Sequence, residues 1–102
     1  MDPFLALAEP RRRRVVEILA HRGKLSASQI SDEFDVTPQA ISQHLRVLRE
    51  ANVIQMERKA QRRFYTFNPQ STIRIEAWAA DMAKLWNRRL ERVDRILKQE
   101  TP

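Results

Sequence analysis

Apolar positions fall at helical spacing along most of the chain and switch to alternation in one stretch. Asp2-Pro3 opens the segment Phe4-Leu5-Ala6-Leu7-Ala8, which predicts a helix of two turns. Glu9-Pro10 begins a second helix, because Pro10 at the first helical position forfeits only an N–H that has no partner there. Val15, Ile18 and Leu19 give it an inner face, and Gly23 stands where a left-handed residue closes a helix cheaply. Ser26-Ala27-Ser28-Gln29 reads as a capping box opening a short third helix over 27–34, with Ile30 and Phe34 inside. Asp35-Val36 is a turn. Thr37 then caps a fourth helix that starts at Pro38 and runs to about residue 51. On it Ile41, Leu45 and Leu48 lie within about 60° of one another and form a core stripe. Gln39, Gln43 and Arg46 lie opposite, flanked by Ser42 and Arg49, and Asn52 follows as a residue tolerant of the left-handed conformation.

The period changes over 53–67. Ile54 and Met56 alternate with Gln55 and Glu57, and Tyr65 and Phe67 alternate with Phe64 and Thr66, around a polar tip; this predicts a β-hairpin. Residues 57–63 hold four basic side chains against one acid, a local +3. Asn68-Pro69 ends the strand, and Ser71 is expected to cap a last helix over 72–98, about 40 Å long. That helix carries Ile75, Trp78, Met82, Leu85, Trp86, Leu90, Val93, Ile96 and Leu97, more apolar surface than a 102-residue monomer can cover. Arg92, Arg95 and Lys98 near its end suit the helix dipole.

Composition narrows the function. A chain of 102 residues makes one domain with a modest core. Nineteen Lys and Arg against thirteen Asp and Glu give +6, which suits a polyanionic partner. The absence of cysteine excludes a disulfide framework, a thiolate metal site and a Cys nucleophile. One glycine excludes Gly-rich phosphate loops, and His21 and His44 are too few for a His-rich metal cage. No apolar run is long enough to span a membrane, and the N-terminus has no apolar signal core. The expectation is a cytoplasmic, cofactor-free, basic binding domain and not an enzyme; no acid–base or nucleophile constellation is spaced for catalysis.

A short capped helix, a tight turn, a polar-faced helix and a basic hairpin together make a helix-turn-helix with a wing. Here the chain resembles the ArsR (arsenical-resistance-repressor) family of winged helix-turn-helix repressors. Leu7-Ala8-Glu9-Pro10-Arg11-Arg12 is similar to the family's Leu-Ala-acid-Pro-x-Arg start. Ser28-Gln29-Ile30-Ser31 follows, then Thr37-Pro38-Gln39-Ala40-Ile41-Ser42-Gln43-His44-Leu45-Arg46-Val47-Leu48-Arg49-Glu50-Ala51, and in the wing Arg62-Arg63-Phe64-Tyr65-Thr66-Phe67. The resemblance covers about residues 4–70. The Trp-rich last helix is similar to the autorepressor-like members that lack metal sites.

The resemblance implies a mainly α fold with a small β-hairpin, dimerising through its first and last helices. The DNA-binding core would span about 10–68, and the dimerisation helices about 2–8 and 72–98, within one domain over 1–102. It implies a homodimer whose fourth helices enter successive major grooves of a near-palindromic double-stranded DNA operator, with half-sites about 10–10.5 base pairs apart or near a multiple of that. Gln39, Ser42, Gln43 and Arg46 are the candidates for base contacts, since Gln pairs with adenine, Arg with guanine and Ser with either. Thr37 offers a helix N-terminus to a phosphate, and Arg58, Lys59, Arg62 and Arg63 are wing contacts to phosphates or the minor groove. The candidate dimer interface is Phe4, Leu5, Trp78, Met82, Leu85, Trp86, Leu90 and Val93.

Departures from the family pattern bear on sensing. Metal-sensing members place Cys-x-Cys where this chain has Ser26-Ala27-Ser28, and hydroxyls are poor ligands for soft metals. The last helix has no His, so no metal inducer is expected. The hairpin tip lacks the usual glycine. Plainer roles compete at several positions. Arg11-Arg12-Arg13-Arg14 can meet phosphates or pair within the chain, for example with Glu9 or Glu17. His44, about 60° off the core stripe, is a packed edge residue or a base reader. His21 is a helix-end residue favoured by the dipole. Trp78 and Trp86 pack in a core or dimer, or line a ligand pocket. The rival to a DNA-binding repressor is a winged-helix module that binds protein or RNA without reading sequence.

Overall fold

The computed structural model describes residues 1–100; Thr101 and Pro102, the end of the expected domain, lie outside the described residues. The chain divides into two compact units, Met1–Thr72 and a second that begins at Ile73.

The first unit opens with α1 (Pro3–Ala6), a single turn where the pattern predicts two. The Asp2 carboxylate accepts from the Phe4 amide at 3.1 Å, and the Arg12 guanidinium donates to the carbonyls of Ala6 (2.6 Å) and Leu5 (3.4 Å). Capping at both ends compensates for a helix too short to stand by itself. In α2 (Pro10–Arg22) the Glu9 carboxylate accepts from the Arg12 amide, and Gly23 closes the helix at φ 81°. Two of the four clustered arginines thus serve the fold, because Arg14 also lies 3.7 Å from Glu17.

Leu25–Ser26 forms β1, a strand that hydropathy does not announce, and α3 follows over Ala27–Ser31. The capping box forms as expected: the Gln29 amide donates to Ser26 Oγ (3.2 Å), and Gln29 Oε1 accepts from the Ser26 amide (2.8 Å). The helix stops at Ser31, short of the expected residue 34, although Phe34 still packs against the core. Thr37 caps α4 (Pro38–Glu50), its hydroxyl accepting from the Ala40 amide at 3.1 Å. Ile41, Leu45 and Leu48 are its buried residues, and Asn52 takes φ 59° just after it.

The hairpin is β2 (Ile54–Lys59) and β3 (Arg62–Phe67) around the two-residue tip Ala60-Gln61. Ala60 carries φ 57° where glycine is usual. The antiparallel sheet has the order β1-β3-β2, with Leu25 opposite Tyr65 and Met56 opposite Tyr65 on its other side. Strand alternation therefore puts Leu25, Ile54, Met56, Tyr65 and Phe67 on the face turned to the core. They join Val15, Leu19, Ile30, Ile41, Leu45, Leu48 and Val53 in one apolar cluster. At the hairpin base the Asn68 amide donates to the Val53 carbonyl and its side chain to the Asn52 carbonyl, each at 2.9 Å.

A 3₁₀ turn spans Pro69–Thr72. Ser71 lies inside it and donates to the Asn68 carbonyl at 2.7 Å, so it does not cap the last helix as expected. The Asn68 side chain instead accepts from the Gln70 amide and organises the turn.

The second unit is α5 (Ile73–Glu100), 28 residues long and a little longer than the pattern predicts. Its Trp78, Met82, Leu85, Trp86, Leu90, Val93, Ile96 and Leu97 are exposed along a helix that is apolar on one side. Of the other two expected interface residues, Leu5 is exposed and Phe4 half-buried. The mainly α fold with a small β-hairpin, a helix-turn-helix followed by a wing, is as expected.

Candidate nucleic-acid interface

The buried stripe of α4 fixes which side of the helix is left to solvent. Gln39, Ser42, Gln43, Arg46 and Arg49 are all exposed on it. The first four line one open groove of about 400 Å³. Its remaining walls are Arg49, farther along the same helix, and Arg63 and Tyr65 of β3. The candidate base readers and one of the candidate wing residues therefore share a single surface.

The four wing cations divide by strand alternation. Arg58 and Arg63 stand opposite each other on the face that also bears Met56 and Tyr65, beyond the edge of the core. Lys59 and Arg62 stand opposite each other on the other face. The groove with α4 receives Arg63 of the first pair, and the second pair faces away from it. The Arg62 guanidinium lies 5.3 Å from the Phe64 ring centroid, a cation–π distance that steadies its side chain. Among the described residues none of the four is held in an ion pair. Directly opposed like charges weaken a strand pair, and this hairpin carries two such oppositions.

Neighbouring contacts hold the surface in place. Lys24 Nζ meets Glu57 Oε2 at 2.6 Å, tying the wing to the segment before β1. This hydrogen bond and the Lys24 charge hold the Glu57 carboxyl below its ordinary range. His44 is half-buried, and its Nδ1 lies 3.8 Å from Glu9 Oε2 at the start of α2, which is the packed-edge position. Burial raises the Glu9 carboxyl, but the Arg12 amide bond, His44 and the Arg11 and Arg12 groups outweigh it and hold the carboxyl below the ordinary range. Arg46 Nε reaches Glu50 Oε1 at 3.2 Å. Both side chains are more than half exposed, so this pair is weak and readily exchanged for another acceptor. Thr37 is exposed at the N-terminus of α4; its oxygen caps the helix and its hydroxyl proton stays available.

Where metal-sensing members carry thiols, Ser26 Oγ takes the Gln29 amide and stands 3.2 Å from Ser28 Oγ. Among the described residues no group of three or more His, Cys, Asp or Glu is placed to hold a metal ion. No helix among them is long and apolar enough to cross a membrane.

A helix-turn-helix domain model matches residues 7–57, from the end of α1 to the middle of β2. The HTH-type transcriptional regulator Rv2034 of Mycobacterium tuberculosis is 33% identical over 93% of this chain and 85% of its own length. The transcriptional repressor SdpR of Bacillus subtilis is 35% identical over 64% of this chain and 71% of its own. Among solved structures, the ArsR family transcriptional regulator RHA00566 superposes with a TM-score of 0.77 at 28% identity, covering 83% of this chain and 87% of that one. The chain belongs to the ArsR family of helix-turn-helix transcriptional regulators.

As an ArsR-family member it is a DNA-binding transcriptional regulator. The family match ends at residue 57, so the rest of the hairpin enters the interface on its geometry. Two groove residues, Arg49 and Tyr65, were not among the candidate DNA contacts read from the sequence. Arg49 carries a signal there, as a flank of the polar face. Tyr65 carries none, because a strand aromatic on the core side reads as core.

Proposed function

We propose that this chain is a homodimeric, sequence-specific repressor, acting in the cytoplasm by covering promoter DNA at a near-palindromic operator without sensing metal. The observation that carries the reading is the groove in which the amide, hydroxyl and guanidinium face of α4 meets β3 Arg63, beside wing cations that form no ion pair among the described residues. Gln39, Ser42, Gln43 and Arg46 are the base readers, and Thr37, Arg58, Lys59, Arg62 and Arg63 the phosphate or minor-groove contacts. A two-fold dimer through α1 and α5 is supported by the exposed apolar side of α5 and by exposed Leu5, since closed two-fold pairing is the commonest way to cover such surfaces. The absence of a metal inducer is supported by the capping work that Ser26 already performs.

Selection of bound duplexes from a random pool, repeated at two salt concentrations, tests this. The expected result is an inverted repeat with half-sites about 10–10.5 base pairs apart or near a multiple of that. Its affinity should fall steeply with salt. Equal binding of all duplexes, or a preference for RNA, overturns it.

A further inference from the structure

Tyr65 is only 4% exposed, yet its hydroxyl makes no hydrogen bond among the described residues. No fully buried side-chain oxygen or nitrogen among them lacks a partner, so the hydroxyl is not sealed in, and the residue that bears it lines the groove. A phenol whose ring is buried and whose hydroxyl stays wet keeps a donor free for an incoming acceptor. The same groove presents Arg49 from α4 and Arg63 from β3, neither of them ion-paired among the described residues, whereas nearby Arg46 is engaged by Glu50. Among the described residues no carboxylate lines this groove. Two planar guanidiniums and a phenolic O–H thus offer donors to whatever enters between helix and strand, and a phosphodiester is an anionic acceptor whose oxygens match the guanidinium forks.

We infer that Arg49, Arg63 and Tyr65 form a seat for one backbone phosphate of the bound duplex. Helix α4 and the wing then grip the same phosphate, which sets the depth and register at which Gln39, Gln43 and Arg46 meet the bases. The inference deepens the duplex-binding reading above and rests on it. Arg49, Arg63 and Tyr65 are positioning residues: they fix where the helix lies and read no base.

The test uses the full chain and a duplex enriched from the random pool. Wild type is compared with Tyr65→Phe, Arg49→Gln, Arg63→Gln and the double Arg variant, by fluorescence anisotropy across a salt series and by thermal melting. Tyr65→Phe should melt with the wild type and bind roughly tenfold more weakly, the scale of one hydrogen bond to a charged group. Its order of preference among duplexes should stay unchanged. The double variant should flatten the plot of log affinity against log salt by about 0.9 per bound protomer, the signature of one phosphate. A fall of about 1.8 means two separate phosphates and overturns the shared seat. So does a Tyr65→Phe variant that binds the enriched duplex as tightly as wild type, or one that melts lower, because its hydroxyl then serves the fold. If the pool yields no enriched duplex, the duplex-binding reading itself fails, a result distinct from a neutral Tyr65→Phe.

Discussion

Arg58→Glu should make the free protein more stable and the DNA complex weaker. The register of β2 and β3 sets Arg58 directly opposite Arg63, with Lys59 opposite Arg62 one step nearer the tip. Directly opposed residues have Cβ atoms about 4.5–5.5 Å apart, close enough for like charges to destabilise the pair. A glutamate at position 58 removes that repulsion and adds an attraction, each worth about 0.2–1 kcal/mol. Both side chains are exposed, so solvent screening keeps each near the lower end and the sum at about 0.5–1 kcal/mol. In a domain of this size that raises the melting midpoint by roughly 2–8 °C. Arg58→Ala should show about half the gain, having lost the repulsion without acquiring the attraction. The gain should also fade with salt, since the screening length drops from about 10 Å at 0.1 M to about 3 Å at 1 M. Binding moves the other way, because the variant presents an anion where a phosphate is to sit. The measurements are circular-dichroism melts of the three proteins at both salt concentrations and anisotropy titrations on an enriched duplex. A glutamate variant that melts below the wild type, or whose gain is as large in 1 M salt, refutes the charge account of the wing. Undiminished affinity refutes the wing's part in binding.

Arg46→Ala should leave the melt within about 0.5 kcal/mol of wild type, because its pair with Glu50 is exposed. It should cost about 1–3 kcal/mol of binding at one base position. A loss spread evenly over all duplexes means that Arg46 reads no base. Ala60→Gly relieves a left-handed φ of 57° at the hairpin tip and should raise the melting temperature by the equivalent of up to about 1 kcal/mol. A lower melting temperature contradicts the strain argument. Glu9, held below the ordinary carboxylate range in the folded protein, contributes stability that is fully present above its unfolded pKa and is lost as pH falls through its folded value. Glu9→Gln should therefore lower stability at neutral pH and flatten the acid side of the stability–pH curve; an unchanged acid limb in urea titrations counts against it.

The features legible in the sequence are those whose cause lies within a few residues. The Ser26-Gln29 box, Thr37 before Pro38, Gly23 at φ 81° and Asn52 at φ 59° all form as their local chemistry predicts. The misreadings share another cause. Leu7 and Phe34 are apolar at helical spacing and do pack on the core, but they do so after their helices have ended, and periodicity cannot tell burial from helix. Ser71 has the chemistry of a cap, yet Asn68 organises the turn before it. Strand β1 is two residues whose partners, Tyr65 and Phe64, lie far along the chain, and no local pattern marks such a pairing. The same register decides the interface. The polar face of α4 can be read from its period, but that Arg63 and Tyr65 form the opposite wall of its groove depends on how β3 pairs on both sides. Most of the hairpin answers a need of the fold: Ile54, Met56 and Phe67 supply core, Asn68 closes the base and Glu57 anchors to Lys24. The opposition of Arg58 and Arg63 answers none, since it weakens the strand pair that holds it. A phosphate at that face reverses the sign of the interaction, so the proposed duplex contact accounts for a like-charge opposition that the fold alone does not need.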